Sequence, residues 1–384
     1  MHAFVSRMLK LLVLGAVLTA LFACSGDDVN QPVELEPLKP KIKVERVWKT
    51  SVGSGDEDYQ LALTPSIRED IIYTLDRDGD LYALDRFNGD KKWERSLDER
   101  ISGAITADRD HLYYATFQGE LVCLDRTSGN EIWRRPLSSE VISQPSSNNR
   151  TVVVQTIDGK LFAFDATEGV QKWRHDSVGP ILSIRGTPAP LILRDRVITT
   201  FANGEMFAFD LQDGRPLWKS TVGTPKGRTE LERLVDADGN VYLEGDRLYA
   251  AAYQGNMISV DVTTGRQIWS RQASSFNGVA LGQSRVYATL SDGDVLAVNQ
   301  FNSNEIWRNT KLKYRRLSSP VTFGNTLVLS DLEGYIHFIS QDNGEFLARI
   351  KPDSDGTMGN MLVRDELLYV YTRSGYLFAY RIKS

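Results

Sequence analysis

The sequence predicts an all-β fold, an eight-bladed β-propeller closed by an N-terminal strand. Three observations carry this expectation. A motif recurs along the chain: Gly, an apolar residue at +2, a small residue at +4, Asp at +6, Gly at +10 and Trp at +14. Its first glycines, at 79, 119, 159, 204, 255, 293, 334 and 375, lie 38 to 51 residues apart, the length of a propeller blade of four short strands. Finally, Trp48 has no motif ahead of it, while the copy begun at Gly375 reaches Ser384 before its own Trp is due. Trp48 therefore reads as the outer strand of the eighth blade.

Taken in chain order, Arg7 and Lys10 precede an apolar run from Leu11 to Ala23 broken only by Gly15 and Thr19. That is the pattern of a secretory signal peptide, and the run is short for a membrane span, so residues 1–23 read as a signal. Leu21-Phe22-Ala23-Cys24 resembles the bacterial lipobox, with Phe22 bulkier than the usual residue. The resemblance implies a lipid on Cys24. Ser25 rather than Asp at the next position implies the outer membrane, periplasmic face. Residues 24–43 are polar, hold Pro32, Pro37 and Pro40 and show no hydrophobic period, which predicts a flexible tether. The propeller is expected over 44–384.

Within the repeat, Ile71 to Leu75 reads as a strand, Asp78-Gly79 as a turn, Leu81 to Leu84 as the next strand, Asn88-Gly89 as a turn and Lys91 to Leu97 as the outer strand. Complete motifs end at Trp93, Trp133, Trp173, Trp218 and Trp269. The copy at Gly293 keeps Trp307 but has Asn299 and Ser303, and the copy at Gly334 has Ser340 and ends on Ala348. Each Trp is expected to bury its ring between blades. Asp85, Asp125, Asp165, Asp210 and Asp261 lie just before turns and are expected to accept backbone N–H bonds there; five copies around a ring cannot converge on one substrate. Cys123 sits at the small +4 position and reads as a buried filler.

Composition narrows the function. Lys and Arg number 45 against 50 Asp and Glu, a net charge of −5, so no basic field for nucleic acid exists and none is expected as a partner. Two cysteines exclude a disulfide scaffold and a four-cysteine zinc site. His2, His111, His175 and His337 show no metal-ligand spacing. Asp76-Arg77-Asp78-Gly79-Asp80 and Asp236-Ala237-Asp238-Gly239-Asn240 look calcium-like but lack a full ligand ladder and read as turns. The Trp-bearing repeat resembles that of the quinoprotein dehydrogenases, which hold pyrroloquinoline quinone and calcium on the propeller axis. A periplasmic dehydrogenase or sensor propeller is therefore the alternative reading. No adjacent cysteines exist here to stack such a cofactor, and no cofactor, metal or catalytic residue is expected.

The favoured reading is a binding platform. Most intervals from a Trp position to the next first Gly are 24 to 27 residues, but the one after Trp48 is 31, and those after the successive Trp173 and Trp218 are 31 and 37. Both excesses fall in connections from one outer strand to the next inner strand, so two long loops are expected side by side on one face, where binding residues usually sit. The first holds Leu182, Ile184 and Arg185; the second holds Leu231 and Leu234 ahead of Asp236 and Asp238. With the lipobox, tether, repeats, Arg316-Leu317-Ser318-Ser319-Pro320 and Glu333-Gly334-Tyr335-Ile336-His337, the chain resembles the BamB-like lipoproteins of the outer-membrane β-barrel assembly (BAM) machinery. That resemblance implies a non-enzymatic scaffold that binds a POTRA domain of BamA through Leu182, Ile184, Arg185, Asp236 and Asp238. It also implies other BAM subunits and unfolded outer-membrane proteins as partners.

Overall fold

A computed structural model of the protein describes residues 30–55, 61–177, 186–224, 235 and 239–383. They form eight four-stranded antiparallel sheets arranged as the blades of a propeller. Blade 1 runs from Ser66–Arg68 at the axis through Ile71–Leu75 and Asp80–Asp85 to Lys91–Ser96 at the rim. Its two middle strands are almost wholly buried, because neighbouring blades cover both of their faces. The outer strand is largely exposed. This explains the unbroken apolar runs of the middle strands and the charged residues flanking Trp93.

The motif is a coupling between strands and between blades. In the outer strand a one-residue bulge recurs at the same place in every blade, as between Ala83 and Leu84 or between Cys123 and Leu124. It sets each Trp opposite the small +4 residue: Trp93 on Ala83, Trp133 on Cys123, Trp173 on Ala163. The indole N–H then donates across to the next blade. Trp133 reaches the Ala166 carbonyl at 3.1 Å and Trp173 the Leu211 carbonyl at 3.0 Å. The second glycine of that next blade lies on the ring. A Cβ on Gly169, which has φ +66°, would come within 2.6 Å of Trp133, so only glycine both adopts the turn and leaves room for the indole.

Blade 8 is closed by the N-terminal strand Lys43–Ser51, which pairs with Tyr376–Lys383 and carries the same bulge between Arg46 and Trp48. Trp48 faces Ala379 and donates to the Arg86 carbonyl of blade 1 at 3.0 Å. The predicted two-ended closure is thus built residue for residue.

Alternation of strand direction gives the ring two distinct faces. An upper face carries the turns between second and third strands and the connections from blade to blade. A lower face carries the remaining turns.

One expectation fails. Residues 33–42, read as part of a flexible tether, are fastened to the ring. The Val33 amide donates to the Lys313 carbonyl at 3.1 Å, the Lys41 amide donates to the Leu347 carbonyl at 2.7 Å, and Leu35 packs against the apolar cluster around Trp307. Backbone atoms and paired charges make most of these contacts, and neither leaves a period in the sequence.

Candidate functional site

The carboxylates of the repeat are structural. Asp125 accepts from the Ser128 and Thr127 amides at 2.8 and 3.1 Å; the Ser128 hydroxyl and amide, foremost, hold its carboxyl below the ordinary range. Asp261 is held low in the same way by Thr264. These groups are dispersed around the lower face. Asp76 spends its oxygens on the amides of Asp80 and Ser54 at 2.8 and 3.1 Å, so the stretch from Asp76 to Asp80 is a turn; burial raises this carboxyl's pKa. Cys123 is fully buried, and burial pushes its thiol far above the ordinary value, which leaves no thiolate for chemistry.

The upper face is where all eight blade-to-blade connections meet, around a cavity of about 220 Å³ on the axis. Its described lining is made of hydroxyls, amides and apolar groups, among them Thr64, Ser143, Thr187, Asn240 and Asn277, and includes no charged side chain. An anionic quinone and its calcium ion would find no counter-charge among these described residues, which do not fit that cofactor.

The two long connections start and end on this rim. The one after blade 3 leaves from Ser177 and returns through Gly186 to the inner strand Leu191–Ile192. The one after blade 4 leaves from Gly223 and returns through Gly239 to Tyr242–Glu244. Their roots touch, because the Ala189 amide donates to the Asn240 side chain at 3.0 Å. Midway along the second, Val235 is 3% exposed and packs with Val222, Val241 and Ala252, which pins that loop to the core one residue before Asp236. Leu182, Ile184, Arg185, Asp236 and Asp238 lie outside the described residues, as does Cys24. The inner strand begins only at Leu191, so it does not account for the apolar residues at 182 and 184.

Two groups escaped the sequence reading. Phe276 is 45% exposed and stacks on Tyr253, with ring centroids 4.0 Å apart, where it borders the cavity beside the root of the second loop. Neither ring belongs to the repeat, so spacing could not single them out. The second group is a buried charge network between blades 6 and 7. Arg315, 2% exposed, donates to Asp331 at 2.7 Å, to Glu333 at 2.6 Å and to the Val33 carbonyl at 2.9 Å. Asp331 also pairs with His337 at 2.9 Å, and Arg349 donates to the other nitrogen of that imidazole at 3.3 Å. Burial drives the Asp331 carboxyl up, but His337 and Arg315 bring it net below its ordinary value.

Comparison with known proteins agrees with this geometry. The family model described as outer membrane protein assembly factor BamB matches residues 45–116 and 77–309. Outer membrane protein assembly factor BamB of Pseudomonas aeruginosa is 44% identical over 370 residues, covering 96% of this chain and 97% of the relative. That of Aliivibrio fischeri is 43% identical over 370 residues, covering 94% and 96%. The crystal structure of BamB from Moraxella catarrhalis superposes with a TM-score of 0.81 at 26% identity, over 88% of this chain and all of that one. Quinohemoprotein alcohol dehydrogenase from Comamonas testosteroni has a TM-score of 0.72 at 13% identity, over 88% of this chain and 76% of that one, a likeness of fold alone. With the motif, the closure and full-length relatives in agreement, the chain belongs to the BamB family of outer membrane protein assembly factors.

Proposed function

We propose that this propeller is a non-enzymatic scaffold of the outer-membrane β-barrel assembly complex, assisting the insertion of β-barrel proteins. It docks a POTRA domain of BamA on its upper face. Leu182 and Ile184 supply the apolar anchor of that interface, with Arg185, Asp236 and Asp238 fixing orientation, since apolar groups at the centre of an interface usually carry the energy. A lipid on Cys24 holds the ring to the outer membrane on its periplasmic side, where other subunits and unfolded barrel proteins are within reach.

The observation that supports this reading best is the contact of the two loop roots through Ala189 and Asn240. It sets the roots of the two insertions side by side, and Phe276 adds an exposed aromatic ring beside them. Capture of the soluble POTRA segment tests it. Replacing Leu182 and Arg185 by Ala should weaken capture by about 2 kcal/mol or more, as loss of interface hot spots does, with thermal unfolding unchanged. Lys91→Ala on an outer strand is the matched control. Full capture by the double variant would defeat the assignment of these loops. The anchor has its own test: labelled palmitate should enter the wild-type chain and not Cys24→Ala.

A further inference from the structure

The N-terminal segment crosses the whole depth of the ring before it joins the sheet. At Val33 it lies against Lys313 and Arg315, in the upper-face connection between blades 6 and 7. From there it descends the outer flank, where Lys311 pairs with Glu36 at 2.7 Å and Arg349 donates to the Glu36 carbonyl at 3.1 Å. At the lower face Lys41 pairs with Glu345 at 2.6 Å. The chain then turns and climbs again as the strand Lys43–Ser51.

The buried network is the receptor for this segment. Arg315 and Arg349, which hold the carbonyls of Val33 and Glu36, are joined through Asp331 and His337 in one hydrogen-bonded chain. Without the segment, Arg315, 2% exposed with the segment in place, would keep its two carboxylates but lose the Val33 carbonyl that its third nitrogen holds, which weakens the hold on its guanidinium. The charges are spent on fastening.

We propose that residues 33–42 are a strap that moves the departure point of the membrane anchor from the lower face of the ring to the upper face, and that Arg315 is its positioning residue. The membrane part of this rests on the reading of Cys24 as the lipidated residue. Fastened at Val33, the anchor has nine residues of chain back to Cys24, which reach at most about 32 Å. Freed to Lys43 it would have nineteen, reaching up to about 65 Å, and would leave from the face opposite the two long loops. The strap therefore holds the loop-bearing face close to the bilayer, where a membrane-embedded partner presents its periplasmic domain.

Two readouts on the full lipidated chain test this, one of them independent of the lipid. Exchange of the Val33 and Lys41 amides with deuterium should be slowed ~100-fold or more against a free chain, and should return to the free rate in Leu35→Ser combined with Glu36→Lys. Both changes lie on the strap and leave the core of the ring intact. The second readout is energy transfer to acceptor-labelled headgroups in vesicles, from a dye on Ser354→Cys at the upper face or on Asn302→Cys at the lower. The upper dye should transfer more strongly by about twofold or more, and the contrast should shrink in the strap variant. Free-rate exchange in the wild type would overturn the strap. Equal transfer from both dyes, or stronger transfer from the lower one, would overturn its effect on the anchor. Absence of palmitate from Cys24 would instead strike the anchor reading and leave the exchange result standing.

Discussion

The copy that lacks its Trp shows how closely each residue of the repeat answers to another. In blade 7, Ala348 stands at the Trp position and Phe338 at the small one, so large and small have changed places across the same strand pair. One large ring still faces one small side chain, and a packed core tolerates such a swap when the volume changes little. Elsewhere the small member is constrained from all sides, and Cys123, with Trp133 opposite, is one such filler. In a Cys24→Ser chain, a maleimide at pH 8 should leave the native protein unlabelled and take up one equivalent in denaturant; labelling of the native chain would contradict the buried, protonated thiol. His337 offers a second test. Burial lowers its pKa below the ordinary value, and Asp331, Arg315, Arg349 and the rings of Tyr335 and Phe346 surround it. Folding thus favours the neutral imidazole. Stability is complete above about pH 6.5, the unfolded value, and is lost as pH falls through the window down to the depressed folded value. Melting temperature should drop between pH 7.5 and 5.5, and His337→Gln should flatten that slope.

At the scale of elements, closure and strap are separable. A chain beginning at Lys41 keeps the outer strand Lys43–Ser51 but leaves Arg315 without the Val33 carbonyl, so it should lose about 2 kcal/mol, the worth of a charge-assisted hydrogen bond. A chain beginning at Thr50 lacks Trp48 and bares the edge of Tyr376–Lys383; it should melt far lower or aggregate through that edge. Equal melting of the two would refute closure by this strand. The blades and their closure were legible in the sequence because every copy obeys one spacing, and the odd Trp48 could be matched to the one vacancy. The strap was not. Its ion pairs join Glu36 to Lys311 and Lys41 to Glu345, separations that no local pattern marks, and only Leu35 and Leu38, three apart among prolines, hint at a buried side. The loops were legible as insertions, while Phe276 beside them was invisible because its exposure is a product of the assembled ring.

For the whole molecule, the division into two faces decides what the ring can do. The axial cavity is polar yet uncharged along its described lining, so mixing the protein with pyrroloquinoline quinone and calcium should give no dye-linked dehydrogenase activity and no shift in melting. Either signal would reopen the catalytic reading that the likeness of fold invites. The proposed binding surface lies instead on the upper rim between blades 3 and 5, while the strap reaches that face between blades 6 and 7.

The closure has a further consequence. Lys43 and Lys383 are paired neighbours on adjacent strands, and a short turn joining them would supply blade 8 with the tight corner that every other blade already has at this place. The ring could then be opened at any of the seven remaining corners instead. Each such circular permutant would carry its chain ends one blade further around, a rotation of about 45° per step for eight equivalent blades. The bearing of the proposed anchor relative to the long loops would become a dial with eight settings, and the efficiency of barrel assembly could be read against it.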